Sequence, residues 1–299
     1  MATCGWIVHT IGRDAARIET LLEENHRNIE ALQGAFTTLW FDDHFQKDHS
    51  PIYESWTTLT YLAALYPQMQ VGSVVLCQSY RNPALLAKMT ATLQTLTGGR
   101  YIAGIGAGWK EDEYHAYGYE FPGARIRLEQ LEEAVQILRL MWSRSPASFL
   151  GKHYRVVEAD CEPLPNPPPP LLIGGGGEKR TLRIVAKYAD WMNLAFADPP
   201  KCAHSFDVLR RHCQEVGRPS DEIKKSLWAY VHLSPTGEKP VGIAGDRYII
   251  SGTPRQVRDT FRAYLNLGVE HFMLRFQDFP RLDGLQRFCD EVLPAVAQA

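Results

Sequence analysis

The chain has 299 residues, 45% of them hydrophobic, with 23 Gly and 19 Pro, enough to bury a large core and unlike a disordered composition. A formal charge of -2, from 32 basic and 34 acidic residues, argues against a broad nucleic-acid surface. Six scattered cysteines without a CxxC pair or metal-ligand spacing read as free thiols of a reducing compartment, and no stretch reaches membrane-spanning length or has the pattern of a leader, so a cytoplasmic protein is expected.

Strand-like and helix-like segments then alternate along the chain. "GWIVHT" (5–10) reads as a strand and 15–33 as a helix; "FTTLWF" (36–41) is a second strand with a helix over 53–65. "MQVGSVVLC" (69–77) is the third strand, Pro83 opens a helix running to Leu96, and "RYIAGIG" (100–106) is the fourth. Residues 125–142 give the clearest helix, with Ile126, Leu128, Leu131, Val135, Leu138 and Trp142 near one face. Residues 143–169 break the rhythm with a short strand, "HYRVV", and a proline-rich approach. Alternation resumes with a strand at 170–174, a helix from about 178, a strand at 189–195, a helix over 201–216 and a strand at 226–233. Residues 234–252 form a second irregular excursion. After it, Thr253, Pro254 and Gln256 are placed as cap, first helical residue and capping-box partner, and "HFMLRF" (271–276) is the last strand.

Eight strands each followed by a helix predict a closed (β/α)8 TIM barrel in one domain over 1–299; a doubly wound open sheet would need a glycine fingerprint that "IGRDAA" lacks. In a barrel, function lies in the loops after the strand ends. Strand two ends in Asp42, Asp43 and His44, an imidazole with carboxylates able to orient it, whereas His49 reads as surface loop. Gly72 and Ser73 inside strand three imply a close approach or a bulge, and Tyr80, Arg81 and Asn82 follow, with Arg81 a candidate for an anion. After strand four, Gly104, Gly106 and Gly108 let a flat ligand approach the backbone, with Trp109 as a wall and Glu111, Glu113, Tyr114 and His115 within reach of the mouth. Gly174, Gly175, Gly176 and Gly177, between a strand and a helix start, form a candidate phosphate clamp supplemented by Lys179 and Arg180. Trp191 and Asn193 are candidate pocket wall and hydrogen-bonder. No HExxH, GxSxG or GK[ST] motif occurs, and a catalytic metal is not expected.

Taken together, "DDHF", "YRNPALLAKMTATLQTLTGGRYIAGIGAGW", "RLEQLEEAVQILRLMW", "PLLIGGGGEKRTLRIVAKYADWMN" and "SGTPRQV" resemble the bacterial luciferase-like monooxygenase superfamily, particularly its branch of coenzyme F420-dependent oxidoreductases. The resemblance implies a barrel holding a deazaflavin or FMN ring against a strand-three bulge with a non-prolyl cis peptide, matched here by Ser73 and Val74. It places His44 near the hydride-accepting face; Asp43, read from the residues of the same loop, is its weaker partner. Gly175, Gly176 and Gly177 would clamp the cofactor phosphate, and Gly106, Ala107, Gly108 and Trp109 would line its tail or ring. Coenzyme F420 with hydride transfer to or from a small organic molecule is the favoured expectation. An FMN-dependent monooxygenase and a noncatalytic flavin-binding barrel are the alternatives. Relatives commonly form homodimers, and the excursions at 109–124, 143–169 and 234–252 are expected to set the substrate.

Overall fold

The computed structural model describes residues 2–12, 15–32, 34–234, 236–237 and 247–297. In chain order the elements are β1 (Thr3–Ile7), α1 (Ala15–Ala31), β2 (Thr38–Phe41), α2 (Ser55–Leu65), β3 (Gln70–Ser73), β4 (Leu76–Cys77), α3 (Pro83–Leu96), β5 (Tyr101–Gly106), α4 (Glu111–Ala116) and α5 (Ala124–Ser143). The second half adds β6 (Ala147–Leu150), β7 (Arg155–Ala159), β8 (Leu171–Gly174), α6 (Thr181–Tyr188), β9 (Trp191–Ala195), α7 (Pro199–Val216), β10 (Lys224–Leu233), β11 (Ile249–Gly252), α8 (Pro254–Asn266), β12 (His271–Phe276), α9 (Asp283–Glu291) and α10 (Leu293–Ala297).

β1, β2, β3, β5, β8, β9, β10 and β12 pair in parallel around a ring that closes through the β9–β10 and β12–β1 contacts. This is the expected eight-stranded barrel, and the helices that return the chain between strands cover its outside. Local chemistry sets several helix starts. Asn82 accepts the Ala84 N–H with Pro83 in the first turn, Asp198 accepts the Lys201 N–H, and Thr253 with Gln256 closes the anticipated capping box.

Ile7, Trp40, Val74, Ile102, Leu172, Trp228 and Met273 fill the barrel interior. Trp40 explains the glycine inside strand three. A Cβ on Gly72 of β3, or on Gly5 of β1 on the other side of β2, would lie 2.3 Å from the Trp40 indole. The indole N–H donates to His271 Nε2 at 2.9 Å, so this large side chain is both packed and satisfied. At Gly104 a Cβ would fall 1.7 Å from the Ser73 carbonyl oxygen, which requires glycine where β3 passes β5.

Several boundaries differ from the sequence reading. β1 begins and ends earlier than 5–10, because the ladder to β2 and β12 uses Thr3–Ile7. The first excursion holds an antiparallel pair, β6 with β7, rather than one strand. The second contains a strand: β11 pairs in parallel with the end of β10, beyond the point where the β9–β10 ladder stops. Residues 235 and 238–246 of that excursion lie outside the described residues. The non-prolyl cis bond joins Val74 to Val75, not Ser73 to Val74. Ser73 remains in register with Phe41, and the Val74 N–H still donates to the Phe41 carbonyl at 2.7 Å, so the strand breaks one residue later.

Candidate active site

A cavity of about 390 Å³ opens at the C-terminal ends of the barrel strands, within the size range of a small-ligand site. His44, Asp43, Val74, Gly106, Ala107, Gly108, Trp109, Gly174 and Gly175 all line it, as do Asn193 and Glu113. Ser73, Gly176 and Gly177 do not. Ser73 is fully buried with its hydroxyl 3.0 Å from that of Tyr101, and the other two are exposed on the loop beyond β8.

His44 stands just past β2, with Nδ1 3.1 Å from each carboxylate oxygen of Glu113. Glu113, on α4, is only 1% exposed. Its Oε1 also accepts the Phe45 and Gln46 N–H groups, and its Oε2 accepts the Tyr80 hydroxyl at 3.0 Å. Burial works against both ionised forms. It is outweighed by the mutual hydrogen bond and charge, with Asp42 and Asp43 also acting on the imidazole, so the His44 pKa is raised and that of Glu113 lowered. Nδ1 is committed to Glu113, which leaves Nε2 as the nitrogen for a ligand. Trp109, 65% exposed, meets the imidazole edge-on with ring centroids 5.8 Å apart.

Asp43 is not the orienting partner of His44. Arg81 donates to both of its oxygens at 2.8 and 3.1 Å, and the Cys77 N–H donates to Oδ2 at 2.9 Å. Arg81 also donates to Glu54, the cap of α2. The arginine read as a site for an external anion is therefore occupied by two internal carboxylates, and it ties the β2 and β4 ends together. Asp42 faces Arg275 of β12 at 3.3 Å; burial alone would raise its pKa, but Arg275 and His44 hold it lowered.

The glycines of β5 and β8 have a definite packing role. A Cβ on Gly106 would sit 2.7 Å from one Val75 methyl, and one on Gly174 2.9 Å from the other. Val75 therefore lies across both glycines and, with Val74, gives the cavity a low apolar floor. Val75 had no signal of its own beside Val74 in the sequence.

The clamp geometry differs from expectation. α6 starts at Thr181 rather than near 178, and the Gly175 N–H donates to the Asn193 carbonyl at 3.0 Å. Gly175 has φ +118°, a conformation that favours glycine, while a Cβ on Gly177 would lie 2.7 Å from the Thr181 hydroxyl. Among the described residues, the Gly176 and Gly177 amides have no backbone acceptor. Trp191 does not reach the cavity. It opens β9 at the other end of the barrel, near Trp40 and His271, with the Lys224 ammonium 4.1 Å above its ring. Glu111 and His115 face solvent, and Tyr114 is buried with its hydroxyl 2.9 Å from the Cys77 sulfur.

A closed barrel with an apolar, glycine-flanked floor and a histidine–carboxylate pair at its mouth defines a barrel of the enzyme kind, with a cleft suited to a flat ligand. Residues 23–241 match the model of the luciferase-like monooxygenase family, and the chain belongs to that family. It is 25% identical to an F420-dependent glucose-6-phosphate dehydrogenase of Amycolatopsis mediterranei (strain U-32), over 89% of this chain and 92% of the relative. Among solved structures it is similar to an F420-dependent secondary alcohol dehydrogenase in complex with an F420–acetone adduct, with a TM-score of 0.84, 20% identity and 99% of each chain covered. It is also similar to a type II Baeyer–Villiger monooxygenase of Pseudomonas putida in complex with FMN, with a TM-score of 0.76, 16% identity and 98% and 99% of the two chains covered. Among the described residues, no helix is long and apolar enough to cross a membrane, and no group of three or more His, Cys, Asp or Glu residues is arranged to hold a metal.

Proposed function

We propose that this protein is a coenzyme F420-dependent oxidoreductase, acting as one barrel domain on a small organic alcohol or carbonyl compound. The observation that carries the reading is the His44–Glu113 pair beside the Val75 floor. The cavity fits a planar ring: the glycines at 106 and 174 remove the side chains that would stand up from its floor, and Val74 and Val75 supply an apolar surface. The name of the 25% identical relative favours the deazaflavin over FMN.

When bound, the deazaflavin supplies a carbon centre that exchanges a hydride with the substrate. The rest of the work falls to the chain. Val74 and Val75 would support the ring and shield it from water. Gly106, Ala107, Gly108 and Trp109 line the cavity and would border the ring, and the Gly176 and Gly177 amides would be open to its phosphate. Glu113 fixes the His44 ring through Nδ1 and favours its protonated form, so Nε2 holds a proton that can pass to or from the substrate oxygen. Asp43 acts at one remove, by pinning the strand ends through Arg81 and Cys77.

Stopped-flow absorbance of the deazaflavin at saturating substrate tests this assignment. His44→Asn is expected to keep deazaflavin affinity within several-fold and to slow hydride transfer by roughly 10²-fold or more. A near-normal rate would remove His44 from the chemistry. A wild-type protein that binds the ring but exchanges hydride with no alcohol or carbonyl compound would favour the noncatalytic reading.

A further inference from the structure

The mouth of the barrel is chemically lopsided. The glycines stand on β5 and β8, whereas the ends of β9, β10 and β12 bring Phe196, Trp228, Tyr230 and Arg275 to the cavity. Phe196 follows β9 with φ 55°, a left-handed conformation that costs a bulky residue energy and tends to be kept where it serves a site. Its N–H donates to the Trp228 carbonyl at 2.9 Å. Its ring lies nearly parallel to Tyr230, with centroids 5.3 Å apart, and edge-on to Trp228 at 4.3 Å. The Arg247 guanidinium sits over the Phe196 ring, 4.8 Å from its centroid.

Charge pairing around the cavity leaves this guanidinium over. Asp42 is matched by Arg275, Asp43 by Arg81, Glu113 by His44, and Lys110 by Asp112. Arg247 and Lys47 line the cavity without a carboxylate partner among the described residues. Arg247 is the one held against an aromatic face, which restrains its long side chain and reduces what is lost when it binds an anion.

Resting on the reading above for the cofactor side of the cleft, we infer that the Phe196–Trp228–Tyr230 wall is the substrate subsite and that Arg247 takes an oxyanion of the substrate. The carbon skeleton packs on the aromatic edges, and the planar guanidinium donates to the paired oxygens of a phosphate ester or a carboxylate. The substrate class is thus an anionic hydroxy or carbonyl compound rather than a neutral alcohol.

Tryptophan fluorescence of the full-length protein, saturated with deazaflavin, tests this with matched probes. These are glucose 6-phosphate against glucose for a phosphate ester, and lactate against 1,2-propanediol for a carboxylate. At least one anionic probe is expected to bind about tenfold more tightly than its neutral counterpart, and the pair that shows the preference identifies the oxyanion. Arg247→Gln should erase the preference and Arg247→Lys restore part of it, while deazaflavin affinity stays within about twofold in both. The inference is overturned if neither pair shows a preference, if the preference survives Arg247→Gln, or if Lys47→Gln abolishes it instead. It is also overturned if Arg247→Gln weakens deazaflavin binding, which would give Arg247 to the cofactor. Failure of the wild-type protein to bind deazaflavin counts against the cofactor reading instead, and the same titration without deazaflavin still reads the oxyanion preference.

Discussion

The His44 imidazole and the Glu113 carboxylate face each other with Nδ1 3.1 Å from both Oε1 and Oε2, although 69 residues separate them in the chain. The contact joins the end of β2 to α4, and four different donors converge on the one buried carboxylate. Truncating Glu113 therefore has a chemical signature distinct from simple loss of packing. In Glu113→Gln, burial should act on His44 with less opposition, so its pKa should fall. The limb of the pH–rate profile that reports His44 should move to lower pH, and hydride transfer should slow by roughly tenfold or more. The pH dependence of the single-turnover rate checks this; an unmoved limb would separate Glu113 from His44.

The same pair makes stability depend on pH in a defined window. His44 has a raised pKa in the folded state, so its contribution is fully present below its unfolded value of about 6.5 and is lost as pH rises through the folded value. Glu113 has a lowered pKa, so its contribution is present above about 4.5 and is lost as pH falls through the folded value. The difference in Tm between wild type and Glu113→Gln should be largest between about pH 4.5 and 6.5 and shrink on both sides. Scanning calorimetry across that range measures it, and a flat difference would show that the ion pair is not formed.

His271 supplies the opposite case. It is fully enclosed near the other end of the barrel, where burial and Lys224 push its pKa down to about 3. Because the folded value is depressed, the neutral ring stabilises the fold above an unfolded pKa of about 6.5, and the contribution is lost as pH falls toward the folded value. The ring should show no titration by NMR between about pH 5 and 8. His271→Ala should cost about 2–4 kcal/mol by denaturant unfolding, from the cavity and from the orphaned Trp40 N–H.

Gly174→Ala tests the floor of the cleft. The added methyl would meet a methyl of Val75 at 2.9 Å, so this cavity-lining side chain must shift. The fold should survive, and deazaflavin affinity should drop by about tenfold, or about 1.4 kcal/mol, by fluorescence titration. Unchanged affinity in a folded variant would move the ring away from Val75.

Much of the fold is legible in the sequence. Alternation of buried strands with amphipathic helices, Pro83 at a helix start and the cap at Thr253 announced the barrel because those signals are local. His44 and the glycines at 106 and 174 stood out because strand ends carry function in such a fold. Glu113 was visible only as one of several acids at a helix start, since nothing local tells a buried carboxylate from a solvated one. Arg81 looked free for an anion because its partners, Asp43 and Glu54, come from separate loops. The cis bond was misplaced by one residue because "GSVVL" has no side-chain feature that marks where the ladder breaks. Arg247 and Phe196 were not singled out, for they become a pair only when the loops after β9 and β10 meet.

The most direct measurement of the central claim is equilibrium titration of the purified apo-protein with coenzyme F420 and, separately, with FMN, followed by fluorescence. The account predicts one saturable site for F420 with micromolar or tighter affinity, and at least about tenfold weaker binding of FMN. Tight binding of FMN with no detectable binding of F420 would contradict it and make the protein a flavin enzyme of the oxygen-using kind.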